Sequence, residues 1–368
     1  MNMTSGKLSA EFSLQLESLR GVSAIVVLFS HCFQAFIAPF DVTLYSWIRL
    51  FGQAAVMMFF ALSGYLIGTS IQQNIQNNGQ FDLRHYVRQR CHRILPPFLF
   101  ALVLTVLLYL LAPFLFSSQS HQFEHNFGMM IRTDYSLEWE NLLSSLLFLN
   151  GFVTPTLSAN APLWSLSYEV WFYVLAGFLP FLRNSVLAQA SFILVLVILS
   201  LLNPQFLIYF LLWLSAFSSS FQQVQQYLLN HLSSLKLVFF SLALLIACID
   251  NYVFHFIEHT NIYRGSYFVP FNLCIGLGWI CWLIQLQYQH SYYHPVWIQS
   301  AGFSYTLYVT HFPLLLFILG CFPQSRSYGL GGAVLALLAS MTFLIFFAWF
   351  IARWLEPQKR KALLPAPQ

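Results

Sequence analysis

Residues Arg84–Phe116 read RHYVRQRCHRILPPFLFALVLTVLLYLLAPFLF, and this stretch decides the fold. Its first ten residues hold four arginines and two histidines, and the 23 from Ile94 to Phe116 hold no charge. A bilayer core is crossed by about 20 apolar residues in helical form. The stretch is therefore a membrane helix with a positive collar at one end.

Outward from it, similar runs predict spans near 21–39, 47–70, 94–116, 161–182, 186–202, 205–220, 236–250, 267–287, 300–320 and 330–352. Asn203-Pro204 must turn tightly between two short runs. Leu142–Phe152 is too short to cross and reads as re-entrant or interfacial. The expectation is an all-α polytopic bundle of about ten transmembrane helices. It forms one membrane domain over 1–368, with short tails at 1–15 and 356–368. Composition agrees: 58% of residues are hydrophobic and only 8% charged, against about 25% charged in soluble domains. The first run lacks a small-residue cleavage site and reads as a retained helix. Of six cysteines, Cys32, Cys248, Cys274 and Cys281 lie in apolar runs, and Cys91 and Cys321 near membrane surfaces. They make no disulfide framework.

Basic residues set the orientation. With an even helix count and a cytoplasmic N-terminus, twelve of the sixteen Lys and Arg face the cytoplasm. Arg49, Arg132, Arg264 and Arg326 face outward, together with most acids. The positive-inside rule thus places both termini in the cytoplasm. The net charge of +4 reflects this asymmetry, and nothing points to nucleic acid. The outer stretch Ser117–Asn160 is long enough to serve as a lid or binding surface.

Ionisable groups at membrane depth are costly and mark function by default. Arg20 and His31 are eleven residues apart, on one helix face about 16 Å from each other. That pair suits an elongated ligand with an anionic end at the inner face and a reactive end in the bilayer. A snorkelling arginine and a structural histidine are the bland alternative. Arg84, Arg88, Arg90 and Arg93 form an inner positive patch, either phosphate-binding or a topology determinant beside anionic headgroups. Ser63-Gly64 permits close helix packing or close approach of a ligand chain. Glu169 lies about 13 Å deep from the outer side, and His311 about 16 Å deep from the inner side. His31, Glu169 and His311 are expected to share one layer. The pairs His121/His125, His255/His259 and His290/His294 have metal-gripping spacing, but none has the HExxH form, and no metal is expected. The absence of a GxSxG elbow and of a Walker loop argues against a hydrolase elbow and an NTPase.

Taken in order, Leu16-Glu17-Ser18-Leu19-Arg20-Gly21 with His31, Phe59-Phe60-Ala61-Leu62-Ser63-Gly64-Tyr65-Leu66, Arg90-x-x-Arg93-Ile94-x-Pro96, Trp164-Ser165-Leu166-Ser167-Tyr168-Glu169 with Phe172-Tyr173, and Ser304-Tyr305 with Tyr308 and His311 resemble the acyltransferase-3 family of membrane acyltransferases. Glu17 stands where the family usually has Asp, and Tyr65 where Phe is common. The chain ends soon after Glu356-Pro357, without the extracytoplasmic hydrolase-like domain fused to some members. The resemblance implies transfer of an acyl group, commonly acetyl from acetyl-CoA, to a hydroxyl of a surface or lipid-linked glycan. It implies that Arg20, Arg90 and Arg93, with Ser63 and Gly64 beside the chain, hold the donor. His31 then acts as general base or acyl relay, helped by Glu169 and His311. It also implies the bacterial cytoplasmic membrane. A transporter or flippase is the alternative, since it too places charges at the midplane.

Overall fold

A computed structural model describes residues 8–124, 132–256, 268–289, 295–326 and 328–356. Of the sequence expectations, His125, His259, His290 and His294, Lys7, Glu258, Arg264 and the basic tail 359–361 lie outside these residues. The side chain of His255 does too.

The described chain is all-α. Seven segments are long and apolar enough to cross a membrane: Ala10–Phe36, Val42–Asn78, Leu83–Leu115, Gln222–Val253, Phe268–Leu286, Pro295–Cys321 and Gly329–Leu355. The three other segments expected to span form shorter helices, of 16, 17 and 15 residues. We number the helices α1 (Ala10–Phe36), α2 (Val42–Asn78), α3 (Leu83–Leu115), α4 (Trp139–Leu146), α5 (Leu163–Phe178), α6 (Val186–Leu202), α7 (Pro204–Ser218), α8 (Gln222–Leu228), α9 (Leu232–Phe256), α10 (Phe268–Leu286), α11 (Pro295–Ser300), α12 (Ser304–Cys321) and α13 (Gly329–Leu355).

The first helices start earlier than hydropathy implies. The Ser9 hydroxyl accepts the Phe12 N–H at 3.1 Å and caps α1, eleven residues ahead of the expected start. Phe12, Leu16 and Leu19 recur at helical spacing and bury in the core, so the polar-mixed stretch is amphipathic. Arg20 is consequently well inside a helix. At its other limit α2 overruns any bilayer: 37 residues span about 55 Å. Gly79, with φ +72°, ends it. Asn74 then clamps the turn, accepting from Asp82 N at 2.8 Å and donating to Asp82 O at 2.9 Å. Asp82 caps α3 in turn. The positive collar therefore forms the first turns of α3.

Burial sorts the bundle into centre and rim. Most of the apolar stretch of Pro295–Cys321 is buried, whereas little of that of Gly329–Leu355 or Gln222–Val253 is. Rim helices show Leu201, Leu335, Phe346 and Trp354 outward, an apolar face that suits lipid. Helix α2 packs on α1, α7 and α10, and α12 packs on α1, α3 and α13. One core cluster lies around the middle of α2 with α5 and α7, and a second between the far half of α1, α12 and α13. Where α2 meets α7, a Cβ on Gly64 would lie 2.5 Å from Trp213 O, so only glycine allows that approach. A further polar contact lies inside the bundle: Arg49 on α2 pairs with Asp250 on α9, both nearly buried.

Candidate active site

Two polar layers meet along α1, α3, α5 and α12. The first is basic. A Cβ on Gly21 would lie 2.7 Å from Trp297 O and 2.9 Å from Ala301 N. This close approach brings Arg20 Nη2 to Ala301 O at 3.1 Å. Arg20 stands within the electrostatic reach of Arg93, Glu356 and Glu17. On α3, Arg90 donates from Nη2 to Ser70 Oγ at 3.0 Å and sits over the rings of Tyr86 and Tyr173, 5.6 and 5.9 Å from their centroids. Its charge and that of Arg93 also interact with each other. The sequence-expected Arg20, Arg90 and Arg93 thus converge from two helices.

Arg20 Nε and Arg90 Nε are both buried with no hydrogen-bond partner. A buried guanidinium donor without an acceptor is costly, and the oxygens of an anionic ligand are the kind of acceptor each one lacks. A cavity of about 160 Å³ adjoins Arg90, lined by Tyr86, Ile94, Phe148, Val170 and Tyr173 among others.

Glu356 completes this layer. It follows the last turn of α13, and its Oε1 accepts the Thr306 N–H at 2.8 Å. The C-terminus of one helix thereby caps the first turn of α12, where negative charge is favoured. Burial pushes its carboxyl up from the ordinary range, opposed by the Thr306 hydrogen bonds and by Arg20 and Arg93.

A directed hydrogen-bond chain leads toward the arginines. Trp213 Nε1 donates to Ser63 Oγ at 3.1 Å, and Ser63 Oγ donates to Tyr173 Oη at 3.0 Å. Tyr173 Oη donates to Glu169 Oε1. The indole can only donate and the carboxylate only accept, so every proton in the chain has one direction. Ser63 is thereby a link between side chains. Gly64 beside it faces α7.

The second layer holds the histidines. The rings of His31 and His311 lie 5.3 Å apart, centroid to centroid, at 32°. His311 is 1% exposed. Its Nδ1 lies 3.0 Å from Leu307 O and 2.8 Å from Tyr308 O. Both are acceptors, so Nδ1 carries the proton and the lone pair is on Nε2. That Nε2 is buried with no partner. His31 Nδ1 donates to Gln34 Oε1 at 3.3 Å, which leaves its own lone pair on Nε2 as well. The structure brings His31 and His311 together but not Glu169 with them: its hydrogen bond among the described residues comes from Tyr173. Glu169 acts electrostatically on Tyr305 and Tyr308, between the two layers.

Sequence reasoning missed Gln34, Glu356 and Asn160. Pro313 on α12 has no N–H to give Val309 O four residues back. Asn160, fully buried, supplies it from Nδ2 at 2.9 Å. The proline was the available signal for such a donor. Glu356 and Gln34 are set by contacts that no local pattern announces. No group of three or more potential metal ligands occurs among the described residues.

Residues 13–353 match the acyltransferase-3 family profile, described as an acyltransferase domain. No curated protein and no solved structure matches the chain.

Proposed function

Because the chain belongs to the acyltransferase-3 family of membrane acyltransferases, we propose that it moves acetyl from acetyl-CoA to a hydroxyl of a surface or lipid-linked glycan. Its setting in this reading is the bacterial cytoplasmic membrane. The observation that carries the reading is a pair of unfilled polar sets about three helical turns apart along α1. Unpartnered Arg20 Nε and Arg90 Nε stand in one set, and unpartnered His311 Nε2 beside His31 in the other. Eleven residues separate Arg20 from His31, about 16 Å along α1. A ligand with phosphates at one end and a thioester at the other suits that separation.

Arg20, Arg90 and Arg93 hold the CoA phosphates, and the pantetheine arm runs past Tyr305 and Tyr308 toward the imidazoles. One imidazole Nε2 takes the proton of the acceptor hydroxyl as its oxygen bonds to the thioester carbonyl carbon. The carbon–sulfur bond then breaks, the thiolate leaves and the proton passes to it. General-base help of this kind is worth about 10²–10⁴-fold. Glu169, fixed by the Trp213–Ser63–Tyr173 chain, places a negative charge near the arginines and orients the route between layers. In the same reading the helices of α5, α6 and α7 also cross the membrane, giving ten spans with both termini in the cytoplasm.

Purified protein in detergent, with acetyl-CoA binding and release of CoA as readouts, tests the proposal. Wild type is expected to bind and turn over. Arg93→Ala is expected to weaken binding at least 10-fold, and His31→Ala to bind without turnover. If none of the three binds CoA while a melting curve shows the fold intact, the donor assignment fails and a transporter becomes the better reading.

A further inference from the structure

The cavity of about 160 Å³ beside Arg90 plays no part in the proposed transfer. It lies between the first turns of α3 and the second half of α5, with Ile94, Leu95, Val170 and Val174 in its walls and Phe148 at one side. The two helices meet here through side chains: Tyr86 Oη donates to Tyr173 O at 3.0 Å. Tyr173 Oη is itself spent on Glu169. Both hydroxyls in the lining are therefore occupied, and the rest of the wall is almost all carbon. Arg90 Nε is the one buried polar atom of the lining without a partner among the described residues. A dry apolar cavity of about 150 Å³ holds a molecule the size of benzene. The space suits a stretch of hydrocarbon, and not a sugar or a purine, whose polar edges would go unpaired.

The cavity opens on the side that meets lipid. Val87 and Val174 in its lining are 47% and 38% exposed, and Cys91 is exposed. Phe148 reaches it from a segment that turns Leu143, Leu146 and Leu147 outward while Asn141, Ser144 and Ser145 are buried. Such inverted polarity belongs to a surface against hydrocarbon. Arg84, Arg88, Cys91 and Leu95 follow i, i+4, i+7, i+11 spacing, which is one face of α3. Both arginines are exposed. Arg88 precedes Ile94 by six residues, about 9 Å along the axis. The headgroup layer on each side of the hydrocarbon is about 5–8 Å deep, so a phosphate at Arg88 puts the start of its chain beside the cavity.

We propose that an anionic phospholipid of the leaflet on this side seats here, with one acyl chain in the cavity and its phosphate on Arg84 and Arg88. Basic clusters just beyond a membrane helix attract anionic headgroups, and guanidinium groups pair with phosphate oxygens. The apolar cavity on the same face of α3 adds a place for the chain. The chain packs against Tyr173 and the stem of Arg90, so the lipid lies beside the basic layer without drawing on Arg20 or Arg93. The assignment goes beyond the acyltransferase reading and holds whatever the reaction.

The test uses full-length protein in detergent and two probes, phosphatidylglycerol and phosphatidylcholine, each with the same photoreactive diazirine in one acyl chain. After illumination, peptide mass spectrometry locates the label. Phosphatidylglycerol is expected to label the Ile94–Leu95 and Val170–Val174 stretches at least 10-fold more than phosphatidylcholine does. The double variant Arg84→Gln with Arg88→Gln, both on the exposed surface, should bring the two lipids level with an unchanged melting curve. Val170→Trp, which fills the cavity, should cut labelling at Leu95 at least 10-fold and leave that of outward-facing Leu335 on α13 unchanged. Equal labelling by both lipids in wild type would mean an unselective lipid shell and overturns the assignment. So does labelling at Leu95 that persists in a folded Val170→Trp protein. Loss of the label on adding acetyl-CoA would give the cavity to the acyl donor, and loss on adding an equal amount of polyprenyl phosphate would give it to a lipid carrier. Either result also overturns the phospholipid.

Discussion

At the scale of single residues, the two layers differ in what holds them. His311 is oriented by its own helix: Leu307 O and Tyr308 O take the Nδ1 proton, so Nε2 is a base without help from any other element. His311→Ala should therefore lower turnover at least 100-fold while acetyl-CoA binding persists, as equilibrium binding beside steady-state rates would show. Glu356 makes the opposite kind of prediction. Its carboxylate caps α12 and also offsets the charges of Arg20 and Arg93. Glu356→Gln should lower thermal stability by about 1 kcal/mol through the weakened cap. It should at the same time tighten CoA binding several-fold, because the arginines lose a competing anion. Calorimetry and titration on one variant read both, and weaker CoA binding would contradict the placement of the donor phosphates. His31 and His311 were legible in the sequence because an ionisable group inside an apolar run is conspicuous against its background, and the arginines because they stand at the edges of such runs. Glu356 and Asn160 were not. Each is a polar residue in or beside a connection, where such residues are ordinary, and only packing turns them into a cap and a carbonyl partner.

Elements carry a second kind of constraint, in backbone separation. Helix α2 meets α7 at Gly64, where an added Cβ would stand 2.5 Å from a backbone oxygen and 3.0 Å from Phe217 N. Backbone cannot step aside as a side chain can, so Gly64→Val should cost about 1–3 kcal/mol or more and pull Ser63 from between Trp213 and Tyr173. A lowered melting temperature together with reduced turnover is the expected pair. Tyr173→Phe isolates the second effect. It removes the hydroxyl that links Ser63 to Glu169 and leaves the packing of α2 on α7, so turnover should fall with little change in melting temperature. Hydropathy located the apolar part of each long helix but not its ends. Amphipathic first turns such as Phe12–Leu19 are stabilised by packing, which a sliding average of polarity does not register. The shortness of α5, α6 and α7 was half visible, since Asn203-Pro204 already limits two of them.

For the whole molecule the consequence is a division of labour along the bundle. The basic layer that the proposal gives to the donor lies where α3 begins and α13 ends, and the connection that carries Arg132 leaves from where α3 ends. If donor and acceptor use these opposite ends, activity is vectorial. Proteoliposomes sorted by orientation make this measurable. Acetyl-CoA should support acetylation only when supplied on the face that carries Arg84, Arg88 and the exposed Cys91, and an impermeant thiol reagent acting on Cys91 reports which face that is. The glycan acceptor should be consumed only from the other face. The physical reason is the charge pattern: a CoA phosphate crossing to Arg20 from the far side would have to pass the apolar rings around His31 and Phe312, at a desolvation cost of many kcal/mol. Equal rates from both faces would mean that one opening serves both substrates.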